Sequence, residues 1–259
     1  MIQITDITGQ QITLTKPASR IISLVPSQTH LLYRLGLDKE VVGITRFCKY
    51  PSHWKKTKTI VGGTKEVKYD RITALQPDLI LANKEENTKE MVEKLREIAP
   101  VYVAEVISWE DNLKFIDHVG QLTGTFSLAR SIIDKLSGLK KELSRFKKNK
   151  KILYFIWKDP WMVAGKNTFI DTMLQLLGFE NLADQLEGRY PVITQEDLLK
   201  LQPEILLMSS EPFPFSEKHR PDIEKLFPQA QIRFVQGEPF TWFGAYPLEA
   251  KDYLTTCCQ

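Results

Sequence analysis

Asp70-Arg71-Ile72-Thr73-Ala74-Leu75-Gln76-Pro77-Asp78-Leu79-Ile80-Leu81 returns 126 residues later as Glu196-Asp197-Leu198-Leu199-Lys200-Leu201-Gln202-Pro203-Glu204-Ile205-Leu206-Leu207. Each copy reads as a short amphipathic helix, a Leu-Gln-Pro stop and a buried strand. Proline cannot sit in a helix interior, and it forces the residue before it out of helical geometry. The apolar runs Leu79-Ile80-Leu81 and Ile205-Leu206-Leu207 suit parallel strands covered on both faces. One α/β unit written twice in 259 residues predicts two similar lobes, with a ligand cleft between them.

Working outward, strand and helix patterns alternate through both halves, as in a parallel α/β fold. Gln3-Ile4-Thr5 and Gln11-Ile12-Thr13-Leu14 predict a hairpin about Gly9. Arg20–Leu24 reads as a strand, with Ser27 or Thr29 capping a helix that Gly36 ends. Met173–Phe179 repeats the pattern of Leu31–Leu37, with Gly178 in place of Gly36 and Thr168 as the cap. Between the halves, Leu128, Ile132, Leu136, Leu139, Leu143 and Phe146 form one apolar stripe. That stripe predicts a single long helix begun by Ser127, a stiff connector that leaves the lobes little motion. The expected division is a first lobe over 1–124, a connecting helix over 125–149 and a second lobe over 150–259. A closing helix is expected from Trp242 or Pro247 to Leu254.

Composition narrows the function. Thirty-five basic and 32 acidic residues leave a net charge of +3, too balanced to suggest a nucleic-acid partner. The run Lys147-Lys148-Asn149-Lys150-Lys151 reads as a solvated linker. Cys48 stands alone, and the adjacent Cys257-Cys258 offer neither a disulfide framework nor a zinc knuckle. The four histidines, at 30, 53, 118 and 219, lack ligand spacing, so no metal site is expected, and His118 reads as structural. No Gly-x-Ser-x-Gly elbow or phosphate loop is present, and no rim carboxylates pair as acid and base. The stretch Met1–Asp6 lacks the basic start and long apolar core of a signal peptide, which fits either a cytosolic chain or one whose signal has been removed.

Parallel α/β sheets place their sites at the carboxyl ends of strands. The residues following the expected strands include Ser27, Gln28, Thr29, Arg46, Phe47, Tyr50, Trp109, Trp157, Trp161, Phe213, Trp242 and Phe243. Each ring alone could plug its own lobe; together they predict an aromatic-lined cleft for a large, flat or amphipathic ligand. Arg189 either meets a polar ligand edge or pairs with Glu187 or Asp184. Asp70 and Glu196, equivalent in the repeat, each open a short helix, where an acid is favoured by capping and by the helix dipole. They also place one negative charge on each lobe, a spacing that a two-fold partner with basic pockets could read.

Arg20-Ile21-Ile22-Ser23-Leu24-Val25-Pro26-Ser27-Gln28-Thr29-His30, Val42-Gly43-Ile44-Thr45 with Tyr50-Pro51, Val61-Gly62-Gly63, Ala164-Gly165-Lys166-Asn167-Thr168, Arg189-Tyr190-Pro191 and the two Leu-Gln-Pro units resemble the helical-backbone periplasmic binding proteins. These are the substrate-binding subunits of ABC importers for vitamin B12, ferric siderophores and haem, and the vitamin B12 branch looks nearest. The resemblance implies two Rossmann-like lobes joined by one long helix, a monomer held outside the cytoplasm in the periplasm or by a membrane anchor, and no catalysis. It implies no cofactor beyond a carried ligand, a cobalt corrinoid or an iron chelate. Ser27, Gln28, Thr29, Tyr50, Gly63, Trp109, Trp157, Trp161, Arg189, Phe213, Trp242 and Phe243 would contact that ligand. Asp70 and Glu196 would dock on arginines of the permease dimer. A cytosolic metallochelate-handling protein, an enzyme and a free zinc or manganese binder are the other readings; an intact genomic start at Met1, with no upstream signal codons, would favour the cytosolic one.

Overall fold

Leu79 and Ile205, the first strand residues of the two copies, take the same place in two different sheets. Ile21 pairs with Leu79 as Ile152 pairs with Ile205, both in parallel. A computed structural model describes residues 1–146 and 149–257, the side chains of Gln195, Leu199 and Cys257 excepted. Lys147 and Lys148 of the basic run, Cys258 and the Cys257 side chain lie outside the described residues. The chain divides into two units. One comprises Met1–Val106, Glu110–Leu136 and Phe243–Pro247; the other comprises Ile107–Trp109, Ser137–Trp242 and the chain from Leu248 onward.

In the first unit, β1 (Ile2–Thr5) and β2 (Gln11–Leu14) form the expected hairpin. The main sheet holds β3 (Ile21–Ser23), β4 (Val41–Ile44), β5 (Thr59–Ile60), β6 (Leu79–Asn83) and β7 (Val101–Ala104). Its order is β5-β4-β3-β6-β7, and every pair is parallel. Ile22, Leu24, Ile80, Ala82 and Val103 build its core with Ile72 and Leu95 from the crossover helices. The segment Phe243–Pro247 joins this unit through Asn112, whose side-chain carbonyl accepts from Gly244 N–H at 2.6 Å and whose amide donates back to Gly244 C=O at 3.1 Å.

The second unit holds β8 (Lys150–Trp157), β9 (Met162–Val163), β10 (Phe179–Asn181), β11 (Ile205–Ser209) and β12 (Gln231–Val235). The order is β10-β8-β11-β12, all parallel, with β9 antiparallel beside β8. Leu153, Phe155, Leu206, Met208, Ile223 and Phe227 form its core.

Both Leu-Gln-Pro stops work the same way. The glutamine leaves right-handed helical geometry, but into the left-handed region (φ 45° at Gln76, 47° at Gln202) and not the extended one that a following proline favours. A left-handed residue closes a helix sharply. The acid after each proline then clamps the neighbouring strand. Asp78 N–H donates to Arg20 C=O at 3.0 Å and Glu204 N–H to Lys151 C=O at 2.8 Å. The Asp78 carboxylate accepts from the N–H groups of Ser19 and Arg20 (2.9 and 2.8 Å), and that of Glu204 from Lys151 N–H (3.2 Å).

Other elements depart from expectation. The helix Pro26–Arg34 has Pro26 in its first turn and no side-chain cap, so Ser27 and Thr29 are interior to it. The long helix is Phe126–Leu143, 18 residues, or roughly 27 Å at 1.5 Å per residue. Leu128 lies half exposed on it, and the buried stripe is Ala129, Ile132, Leu136, Leu139 and Leu143. Thr168 caps Phe169–Leu176 as expected, accepting from Asp171 N–H. The closing helix is broken into Glu238–Thr241, Tyr246–Glu249 and Lys251–Cys257.

Removing the first clamp tests its weight. Asp78→Ala strands the N–H groups of Ser19 and Arg20 at a partly exposed site, and urea unfolding should show a loss of about 1–2 kcal/mol. An unchanged midpoint would mean that water replaces the carboxylate without cost.

Candidate functional site

The rim of the first unit is shaped by one buried thiol. Beyond β4, Cys48 is 1% exposed, with Sγ 3.0 Å from Thr29 Oγ1 and 3.3 Å from Thr45 Oγ1. Burial pushes this thiol's pKa up, against the opposing pull of its hydroxyl partners. Pinning Cys48 inward leaves its neighbours outward: Phe47 and Tyr50 are each about half exposed (48% and 49%). The loop is backed by Gly62 and Gly63. Gly62 has φ 136°, and a Cβ there would come within 2.5 Å of Glu66 C=O. Arg46 N–H donates to Gly62 C=O at 2.9 Å and Gly63 N–H to Glu66 C=O at 2.6 Å. Beyond β6, Asn83 accepts from the N–H groups of Glu85 and Glu86, while Asn87 accepts from Asn83 N–H and donates to Thr64 C=O. Burial raises the pKa of Glu86, and the charge of Lys65 opposes that rise.

The rim of the second unit is a run of rings. Trp157, at the end of β8, is 41% exposed and meets Phe213 edge-on at 5.8 Å. Phe213 touches Phe215 at 4.6 Å, and Phe215 stacks on Trp161 at 5.9 Å with the planes 8° apart. Lys158 ties this loop to the helix Arg220–Leu226 through Asp222 at 2.7 Å, and that hydrogen bond lowers the Asp222 pKa. Tyr154 O–H donates to Ser209 Oγ at 3.1 Å, and Thr241 donates to Glu211 Oε1 at 3.0 Å. Gly237 admits Glu211, since a Cβ there would lie 2.3 Å from its Cγ.

Of the residues expected from sequence, Tyr50, Trp157, Trp161, Phe213 and Arg189 keep accessible surface. Ser27, Gln28, Thr29, Gly63, Trp109, Trp242 and Phe243 are buried. Gln28 donates to Ala82 C=O at 2.8 Å, Thr29 Oγ1 to Val25 C=O at 3.0 Å, and Phe243 packs edge-on against Phe115 at 5.3 Å. These contacts lie inside the fold, while Gln28 Oε1 and Trp109 Nε1 are buried with no hydrogen-bond partner among the described residues. Trp54 is fully buried, and His30 packs against Tyr246 at 5.3 Å. His118 lies 3.0 Å from Tyr102 Oη, a structural contact, and burial lowers its pKa. Asp70 and Glu196 are exposed first-turn acids, but neither is a cap. Lys68 precedes the first helix with no side-chain bond, and Thr194 with Asp197 forms the capping box of the second. Glu196 instead pairs with Lys200 at 2.7 Å. No group of three or more His, Cys, Asp or Glu that could hold a metal occurs among the described residues.

Sequence reasoning also missed an acid pair in the second unit. Asp171 is 6% exposed and accepts from Asn181 (3.0 Å) and Gln175 (2.8 Å), with Asp184 hydrogen-bonded beside it. Burial pushes its pKa up to about 6, opposed by Asn181 and helped by Asp184. The adjoining groove, about 590 Å³ and bordered by Asn149 and Gly178, lies at the amino ends of β8 and β10, away from the rim. Neutral Asp171 stabilises the fold fully below the unfolded-state pKa of about 3.9, and that contribution is lost as pH rises through about 6. The melting temperature of the parent should therefore fall between pH 5 and 7.5 by roughly 3–6 °C more than that of Asp171→Asn. Parallel pH profiles would show that the pair is not the titrating group.

The model of the periplasmic binding protein family matches residues 21–234. An ABC transporter substrate-binding lipoprotein of Bacillus subtilis is 27% identical over 217 residues, 80% of this chain and 68% of that protein. A vitamin B12-binding protein of Vibrio parahaemolyticus is 29% identical over 202 residues, covering 75% of this chain and 72% of its own. The crystal structure of a periplasmic haem-binding protein of Vibrio cholerae superposes with a TM-score of 0.77 at 22% identity, covering 91% of this chain and 97% of the other.

Proposed function

The chain belongs to the periplasmic binding protein family, and on that premise we propose that it is the substrate-binding protein of an ABC importer for a corrinoid of the vitamin B12 type. It is a binding protein and not an enzyme, and what it carries is a ligand and not a cofactor. Small-molecule ligand and permease are its two partners, and its place is outside the cytoplasm, as for the lipoprotein and periplasmic relatives.

The observation that supports the ligand class is the ring series of the second lobe. Trp157 and Phe213 present an edge-to-face pair at a strand-end rim, and Phe215, stacked on Trp161, packs against Phe213. A rigid apolar wall of this kind suits the face of a large, flat metal chelate. Each ring brings much contact area with little side-chain freedom to lose. Tyr50 offers a similar surface on the first lobe, and Arg189 a polar contact on the second. Haem or a ferric siderophore is the second reading, favoured by the exposed guanidinium of Arg46 over the Phe47 ring.

Calorimetric titration with cyanocobalamin, with ferric protoporphyrin and a ferric siderophore in parallel, tests the ligand. One-to-one cobalamin binding is the expected result, weakened at least tenfold by Trp157→Ala with Phe213→Ala. Undiminished affinity in the folded double variant would refute the aromatic wall.

Asp70 and Glu196 are the proposed permease contacts. Both are exposed, equivalent in the repeat, and free of any capping duty. Reversing both to Lys should abolish uptake in cells while ligand affinity stays within about twofold, because exposed charges act on docking far more than on contacts between a ligand and aromatic rings. Persistent uptake would remove these acids from the interface.

A further inference from the structure

The loop after β4 holds a charge that the fold itself does not use. Arg46 is exposed, and its guanidinium lies over the Phe47 ring, 4.9 Å from the centroid. Among the described residues that guanidinium has no ion pair or hydrogen bond. Most other cations near aromatic faces here are also claimed by an acceptor: Lys158 by Asp222, Lys58 by Asp38 and Arg220 by Glu217.

The stack is built by its surroundings. Arg46 N–H is fixed to Gly62 C=O, Cys48 is pinned inside, and Phe47 is left outside. Gly63 supplies the space beneath. A Cβ at residue 63 would lie 3.1 Å from both Arg46 Nη2 and Phe47 Cε2, tighter than ordinary van der Waals contact. A guanidinium over a ring face still has N–H groups to offer, and its fork matches two oxygens of one anion. Held in advance, it loses little freedom when it binds.

The geometry points to Arg46, carried on Phe47 and admitted by Gly63, as the residue that reads an oxyanion on the edge of the ligand. This rests on the binding-protein reading above and sharpens it. Two sources share the chemistry: the phosphodiester of a nucleotide-bearing corrinoid, and the carboxylates of a ferric porphyrin. Arg46 thus makes the first lobe selective for charge, beside the second lobe's preference for a flat face.

Two matched pairs of probes test it. Cyanocobalamin is compared with dicyanocobinamide, which lacks the phosphodiester, and ferric protoporphyrin with its dimethyl ester. Each is titrated into the full chain, into Arg46→Ala and into Gly63→Ala, with melting temperatures recorded for all three proteins. The parent should prefer the anionic member of one pair by about tenfold, and the pair that shows it identifies the source. Arg46→Ala should erase that preference and leave the anion-free member within about twofold. Gly63→Ala keeps the charge but crowds the stack, and should reduce the preference with Arg46 still present. Binding without any preference, or a preference that survives in Arg46→Ala, overturns the inference and leaves the binding-protein reading standing. Binding of none of the four by the parent counts against both.

Discussion

Everything at the rims depends on a carboxylate at the other end of the sheets. Asp78 and Glu204 each bond the backbone at the start of the neighbouring central strand, and each sets which residue lies opposite which. A slip of one residue would turn every side chain of the strand to the opposite face. With Leu79 opposite Ile21 and Ile205 opposite Ile152, Ile80 and Leu206 lie in their cores. That register sets where the strands give way to the loops that carry Arg46, Phe47 and Tyr50 on one rim and Trp157 and Phe213 on the other.

Local chemistry carried the legible part of the fold. The duplicated Leu-Gln-Pro units, the hairpin about Gly9, the helix ends at Gly36 and Gly178 and the Thr168 cap all rest on residues close in sequence. Expectations failed where two demands competed for one residue. Thr29 has the hydroxyl of a cap, but Pro26 already starts that helix and the Thr29 hydroxyl turns to Val25 and Cys48. Leu128 fits the periodicity of the long helix yet lies at its exposed beginning. Pre-proline sterics favour an extended glutamine, and the demand of closing a helix won.

The candidate site was legible as a list of rings but not as a surface. Hydrophobicity says that a tryptophan gains by burial, not whether its lobe has room for it. Trp54 and Trp109 found room; Trp157 did not. The Arg46–Phe47 stack needs Gly63, 17 residues away from Arg46, and no local pattern reveals that dependence. The acid pair of Asp171 and Asp184 likewise joins a helix to a separate turn, so neither residue signals the other.

The burial of Cys48 has a chemical side as well as a mechanical one. The nucleophile in thiol chemistry is the thiolate, and burial holds this sulfur in its protonated form. The pin that turns Phe47 and Tyr50 outward is therefore inert toward disulfide exchange and slow to oxidise. A loop anchored by such a thiol keeps its shape through changes of redox poise that would rearrange one anchored by a disulfide.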